Sequence, residues 1–429
     1  MNLASTLALA SLLASAALAQ TPRQRMVIVI SLDGFPAYAL DDPKLPIPAL
    51  RKLIGSGTSA RMLTVNPTVT WPNHTSMVTG VRADQHGLLA NGTIVRTGAQ
   101  PPVKVEPMIA KDQMVHVPMV YDAAHNAGLT TAQVDWVAIH KTPSITWAFN
   151  EWATADGPLE QEMMRKGAIT AADLDKFTKS NILFRDQIWT TAAVHLIREH
   201  QPNLLLMHLL SLDSVHHKYG PGSLAASAAI AFLDSCVTRV VEAVHEAGMD
   251  GRATFLIVSD HGFKKYTKLV RPAVALAAGG LTGRVYTLSE GGSAYVYFDS
   301  PGLAPKVRSA LSGVEGIDRI VGPEGFADLG LPQQASDPQM YQLLLTATDG
   351  YSFVDATGGP VTAEVPQQAG SHGYLASDPE MDAIFIAAGY GVRAGAKLER
   401  ISNLDVASTI AQLLEVSLPG AKGKPIPMK

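Results

Sequence analysis

The sequence predicts an α/β protein with a mostly parallel central sheet flanked by helices and one inserted α+β subdomain. Three observations lead there. Short, continuous apolar runs, rich in β-branched residues, recur at 25–32, 203–210, 253–258 and 383–388, the pattern of strands buried on both faces. Helical stretches lie between the runs, and strands alternating with helices call for a sheet covered on both sides. The first three runs also end at or lead to Asp33, Asp213 and Asp260-His261, while the fourth follows His372-Gly373. In such folds the carboxyl ends of strands are where active sites gather.

The elements follow in order. The first run stops at Asp33-Gly34-Phe35-Pro36, which is turn chemistry, and 45–57 then has helical spacing with Gly57 at its end. Further helices are expected at 119–128, 180–200, 224–248 and 405–414. The stretch 264–369 differs, with short alternating pieces at 284–288 and 293–298 among many Gly and Pro turns. It reads as an inserted cap, with 20–263 and 370–429 as the two parts of the catalytic core.

Bulk properties narrow the function. The chain has 429 residues, 47% of them hydrophobic, ample for a large core. A net charge of −4 with 17% charged residues offers no basic excess for a nucleic-acid polymer. Cys236 is the single cysteine, so an internal disulfide is impossible; in its alanine-rich helical stretch it reads as a small buried hydrophobe. Residues 1–19 carry no charge, are rich in Leu and Ala, and end in Ala17-Leu18-Ala19 before a polar stretch, the form of a cleavable signal peptide without a basic start. Export, periplasmic or secreted, is therefore expected. No later run approaches about 20 continuous apolar residues, so no transmembrane segment is expected in the mature chain.

Asp33, Asp213, His217, Asp260, His261 and His372 form a set of carboxylates and imidazoles suited to zinc or a similar divalent ion. Six such side chains can serve two ions and leave an open position on each. Asp213 and His217 would share one face of a helical turn. Asp260 and His261 can serve one site only on a turn, which Gly262 permits. Thr70, in Thr70-Trp71-Pro72-Asn73-His74, falls just before an expected helix that runs toward Gly80. A helix start favours a bound phosphate, and a metal ion would turn the threonine hydroxyl into a competent nucleophile.

Taken together, Asp33-Gly34, Thr70-Trp71-Pro72-Asn73-His74, Asp213-x-x-x-His217-x-x-Gly220-Pro221, Ser259-Asp260-His261-Gly262 and Ser371-His372-Gly373-Tyr374 resemble the type I phosphodiesterase/nucleotide pyrophosphatase family of the alkaline phosphatase superfamily. The resemblance implies an alkaline-phosphatase-like fold and two metal ions, zinc by preference. It implies that Asp213, His217 and His372 bind one ion, and that Asp33, Asp260, His261 and Thr70 bind the other. It makes Thr70 the nucleophile of a phosphothreonine intermediate. Asn91 matches the family asparagine that hydrogen-bonds a phosphoryl oxygen, and the backbone near Trp71 and Pro72 is expected to assist.

The chain departs from the family pattern at Trp71, where Phe is common, at His216, where Gly is common, and at Leu375, where many animal members carry Asp. His216 is read as an exposed neighbour of the site. The expected substrate is a small phosphodiester or pyrophosphate, nucleotides among the candidates, with specificity in the insert and in Trp71, Tyr219 or Tyr374. A phosphomonoesterase or phosphonoacetate-type hydrolase is the nearest alternative. It would want an Arg or Lys on the extra phosphate charge, and Arg82 is the one arginine close to the motifs. A Ser-His-Asp esterase would need a Gly-x-Ser-x-Gly elbow, and 52–58 lacks that spacing.

Overall fold

The computed structural model describes residues 24–428. The signal-peptide reading of 1–19 lies outside the described residues. An eight-stranded sheet forms the centre. Its strands are β1 (Met26–Leu32), β2 (Thr58–Leu63), β3 (Thr131–Val134), β4 (Trp147–Phe149), β5 (Leu204–Leu209), β6 (Ala253–Val258), β7 (Ala383–Gly389) and β8 (Ala396–Ser402), in the spatial order β8-β2-β7-β6-β1-β5-β3-β4. Every pairing is parallel except those of β7, which runs against both β6 and β2.

The buried runs work as their pattern requires. In β1, Met26, Ile28, Ile30 and Leu32 enter the core on one face, while Val27 and Val29 enter the core on the other. A strand buried on both sides cannot alternate polar with apolar, and β1, β5 and β6 are buried at every position.

Helices α1 (Pro48–Ser56), α2 (Thr70–Thr79), α3 (Pro158–Arg165), α4 (Ile182–Glu199), α5 (Ser211–Tyr219), α6 (Leu224–Glu246) and α7 (Leu404–Leu414) lie against the sheet or extend it. By length and composition α6 could cross a membrane. Here its Ile230, Leu233, Val237 and Val240 sit in the core, with Cys236 buried beside them. Asp234 of α6 accepts hydrogen bonds from Ala49 and Leu50 N–H at the start of α1, two donors that a helix start leaves unpaired.

Residues 264–371 build two smaller sheets. One is four-stranded and antiparallel, and contains the hairpin Val285–Glu290/Ser293–Phe298 turned by Gly291-Gly292. The other has three strands, with Lys264–Val270 between Tyr351–Phe353 and Thr362–Ser371. The four-stranded sheet packs Tyr295, Tyr297 and Leu344 against Ala83, Leu89, Ile94 and Val103.

Candidate active site

Sheet order creates the site. Strands β6, β1 and β5 are neighbours and parallel, with Ser31 opposite Val258 and Leu32 opposite Leu209. The chain therefore leaves all three at one edge, bringing Asp33, Asp213 and Asp260-His261 side by side. Asp213 and His217 sit one turn apart on α5, with His217 Nε2 3.4 Å from Asp213 Oδ1. Because β7 runs in reverse, it is the segment entering it that reaches this edge, and that segment carries His372. The His372 ring stacks on His261 with centroids 4.0 Å apart.

The donor atoms face one another. His261 Nε2 lies 3.5 Å from Asp33 Oδ1, 3.2 Å from Asp260 Oδ2 and 3.5 Å from Thr70 Oγ1. His372 Nε2 is 3.9 Å from Asp213 Oδ1. Two groups have ligand-capable atoms all within 4.8 Å of one another: Asp213 with His217 and His372, and Asp33 with Asp213 and His261. Asp213 thus joins the two halves.

The chemistry of these atoms fits cations. Asp33 Oδ1, Asp213 Oδ1 and Asp260 Oδ2 are buried without a hydrogen-bond partner, a costly state for a carboxylate unless a positive charge is supplied. Each imidazole spends Nδ1 on a backbone carbonyl: His261 on Gly262 O at 3.0 Å, His372 on Thr68 O at 3.0 Å and His217 on Gly370 O at 3.3 Å. A carbonyl only accepts, so Nδ1 carries the proton and Nε2 turns its lone pair into the site. Burial pulls His261 down to about 4 and His372 to about 3, which keeps both neutral at ordinary pH. Burial, then the Asp260 and Asp213 charges, pushes Asp33 well above the carboxylate range. A bound cation would relieve that strain directly.

Thr70 is the first residue of α2 and is 6% exposed, with Val69 as the N-cap. His74, one turn on, donates from Nδ1 to the Thr70 carbonyl at 2.9 Å and fixes the helix start. Asn73 ties the preceding loop to α2 through Val65, Pro67 and Val69 carbonyls. Asn91 Oδ1 accepts the Trp71 N–H at 3.0 Å. The expectation of a free backbone donor near Trp71 is thus corrected: that N–H is occupied and Pro72 has none. The amide end of Asn91 is what is left to donate.

Three other expectations change. His216 is buried, not exposed, and donates from Nδ1 to Gly34 O at 3.2 Å, holding the loop after Asp33 against α5. Gly262 is not needed for a left-handed turn; a Cβ there would meet Glu380 O at 2.0 Å, so close approach excludes a side chain. Gly373 does need φ of +80°, and the turn it makes aims His372 inward. Tyr374 is a packing residue, 4% exposed, with its hydroxyl on Tyr351 O at 2.6 Å.

A cavity of about 440 Å³ opens above this centre. Thr70, Asn91, Asp213, His217 and His372 form its floor, and Trp71, Met108, Trp136, Ile139, His140 and Trp152 are among its walls. No residue of 264–369 lines it, and neither does Tyr219. The insert expected to carry specificity therefore does not reach the cavity, whose wall comes largely from 135–152, a loop-rich stretch with no periodicity to flag it. His208 was also missed. It lies next to the carboxyl end of β5, with Nε2 2.9 Å from Asp33 Oδ2 and Nδ1 3.2 Å from Asp135 Oδ2. Burial opposes a charge on this ring, but the Asp135 and Asp33 hydrogen bonds outweigh it and raise its proton affinity. A lone histidine in an otherwise apolar strand was the available signal.

A family profile described as type I phosphodiesterase/nucleotide pyrophosphatase matches residues 27–375. Ectonucleotide pyrophosphatase/phosphodiesterase family member 1 of Mus musculus is 25% identical over 253 residues, 56% of this chain and 25% of that protein. The chain thus matches about a quarter of the length of that relative. A pyrophosphatase/phosphodiesterase of Schizosaccharomyces pombe is 23% identical over 414 residues, covering 92% of this chain and 77% of the relative. Among solved structures, murine ectonucleotide pyrophosphatase/phosphodiesterase 5 superimposes with a TM-score of 0.73 at 18% identity, covering 93% of this chain and 98% of that one. Its inactive threonine-to-alanine form has been solved in complex with AMP. With the profile spanning the strands that carry Asp33, Asp213 and Asp260 and the loop that carries His372, the chain belongs to the type I phosphodiesterase/nucleotide pyrophosphatase family.

Proposed function

We propose that the chain is an exported hydrolase of phosphodiester or pyrophosphate bonds, with Thr70 as nucleophile and Asn91 holding a phosphoryl oxygen. The observation that carries this reading is the trio of partnerless buried carboxylate oxygens on Asp33, Asp213 and Asp260, gathered around His261, whose Nε2 also faces the Thr70 hydroxyl, with Thr70 and Asp213 lining an open cavity. In this reading Asp213, His217 and His372 hold one divalent ion and Asp33, Asp260, His261 and Thr70 hold a second, most readily Zn²⁺. Such ions, when bound, lower the pKa of the threonine hydroxyl and offset the phosphoryl charge.

The residues do the rest. Thr70 Oγ1 forms a bond to phosphorus as the bond to the leaving oxygen breaks, giving a phosphothreonine. Water then attacks phosphorus, releases the phosphoryl product and restores the hydroxyl. Asn91, its Oδ1 anchored on Trp71, donates its amide to the phosphoryl oxygen whose charge grows in each step. His74 and His208 hold the Thr70 backbone and the Asp33 carboxylate in place. Residues 264–369 serve as a cap that buttresses the floor from outside the cavity.

The walls favour a leaving group with a flat ring. Trp71 and the 57% exposed Trp152 offer faces for stacking, as a nucleotide base would use. Among the described residues no Arg or Lys lines the cavity, and Arg82 is paired with Asp84. That absence favours a diester over a monoester, whose second negative charge would lack a partner. Rates on bis(4-nitrophenyl) phosphate and 4-nitrophenyl phosphate, with Zn²⁺-loaded protein, test this. The diester should be cleaved faster; a faster monoester would make the chain a phosphomonoesterase.

A further inference from the structure

On the side of the sheet that carries α3 and α4, a second group of metal-capable side chains converges. Glu162 of α3 places Oε1 2.9 Å from His195 Nε2 and 2.8 Å from His200 Nε2. His195 is on the last turns of α4 and His200 is its C-cap. Five residues apart on one continuous α-helix they would point about 140° away from each other. The helix stops at Glu199 and His200 turns out of it, with φ of −120°, so the two rings meet at one carboxylate. The ligand-capable atoms all lie within 4.8 Å of one another. Side-chain exposure is 5% at His195, 19% at His200 and 24% at Glu162, which leaves one side of the group open to solvent. The His200 ring is stacked on Trp147 of β4, centroids 4.4 Å apart, which limits its rotation.

We propose that Glu162, His195 and His200 form a third metal site, a structural clamp for Zn²⁺ or a similar borderline cation, separate from the catalytic floor. Two imidazoles and a carboxylate with one open position match the donor set that zinc takes. Metal–ligand bonds of about 2.0–2.1 Å at tetrahedral angles set ligand atoms about 3.3 Å apart, so Glu162 needs to draw back from each imidazole by only about 0.5 Å. The clamp would tie α3 to the end of α4, from which the chain passes directly into β5 and on to Asp213. A protein whose single cysteine rules out an internal disulfide gains a cross-link there by other means.

The test uses Zn²⁺ alone. Metal per chain is counted by mass spectrometry after dialysis for the wild type, His200→Ala and Glu162→Gln. Each variant is expected to hold one equivalent less than the wild type while cleaving the aryl diester at the wild-type rate. In a background carrying Asp213→Ala, His372→Ala, Asp260→Ala and His261→Ala, which removes ligands of both catalytic ions, Zn²⁺ at about a hundred times its dissociation constant is expected to raise Tm by about 3 °C, and added His200→Ala should abolish the rise. Equal zinc counts in the wild type and both variants would overturn the proposal, leaving Glu162 as a hydrogen-bond acceptor between two imidazoles. So would a Tm rise that survives loss of His200.

Discussion

The catalytic floor and the cavity wall beside it are built in opposite ways. The floor draws Asp33, Thr70, Asp213, Asp260 and His372 from strand ends and a helix start, and each is closely surrounded and largely buried. Its histidines are pinned through Nδ1 to backbone carbonyls. The wall comes mostly from one irregular stretch, 135–152, with left-handed backbone at Asp135, Ala138 and Lys141 and with Trp152 standing 57% exposed. Arg185 props that wall, its guanidinium 5.4 Å from the Trp152 ring centroid and 3.0 Å from the Glu151 carbonyl. Chemistry that depends on ångström geometry would sit where the fold itself fixes the backbone, while the proposed recognition wall is a loop that can change without disturbing the sheet.

Four experiments break or sharpen that contrast. The largest effect should come from the floor: Thr70→Ala is expected to lower turnover of a diester about 10⁴-fold or more with zinc content unchanged. Turnover near wild type would remove Thr70 from its role. Asn91→Ala should cost about 10²–10³ in kcat with little change in metal content, as loss of one oxyanion donor does elsewhere. A change confined to KM would instead assign Asn91 to the wall.

Acid should act through one ring of the floor before the others. The partial burial of His217 disfavours its charge, but Asp213 beside it overcomes this and raises its proton affinity above the ordinary imidazole value. His261 and His372, at about 4 and 3, stay deprotonated over the same range. A cation must displace the His217 proton, so zinc affinity should fall as pH drops, by about tenfold per pH unit between 6.5 and 5. A competition titration with a chelating dye reads the slope; a loss of two protons per ion would mean that the buried His372 ring titrates as well. The smallest effect belongs to the wall. Trp152→Ala should raise KM for a nucleotide substrate about tenfold with kcat nearly unchanged, the size of one stacking contact. Equal losses for a substrate with no ring would show that Trp152 supports the loop rather than the ligand.

Much of the fold could be read from the chain because burial leaves a local trace. Each of the four apolar runs is a strand of the central sheet, and the helices at 119–128, 180–200, 224–248 and 405–414 fall within a few residues of their observed ends. The short strands β3 and β4 and the exposed-faced β8 were not anticipated, since Thr131–Val134 and Trp147–Phe149 are too brief for a period to appear. The acids and imidazoles at strand ends were legible for the same reason: a polar residue after an all-apolar run stands out.

What the sequence alone determined, then, was which segments are buried and which reactive side chains punctuate them. Tertiary structure decided which strands become neighbours, that β7 runs in reverse and so delivers His372 from its entering end, that His208 reaches Asp33, and that 135–152 rather than 264–369 walls the cavity. The physical reason is that hydrophobic periodicity records how far a residue is removed from water but not what it packs against. Partners such as Asp33 and Asp260 lie more than two hundred positions apart in the chain, and only the assembled sheet brings them to one site.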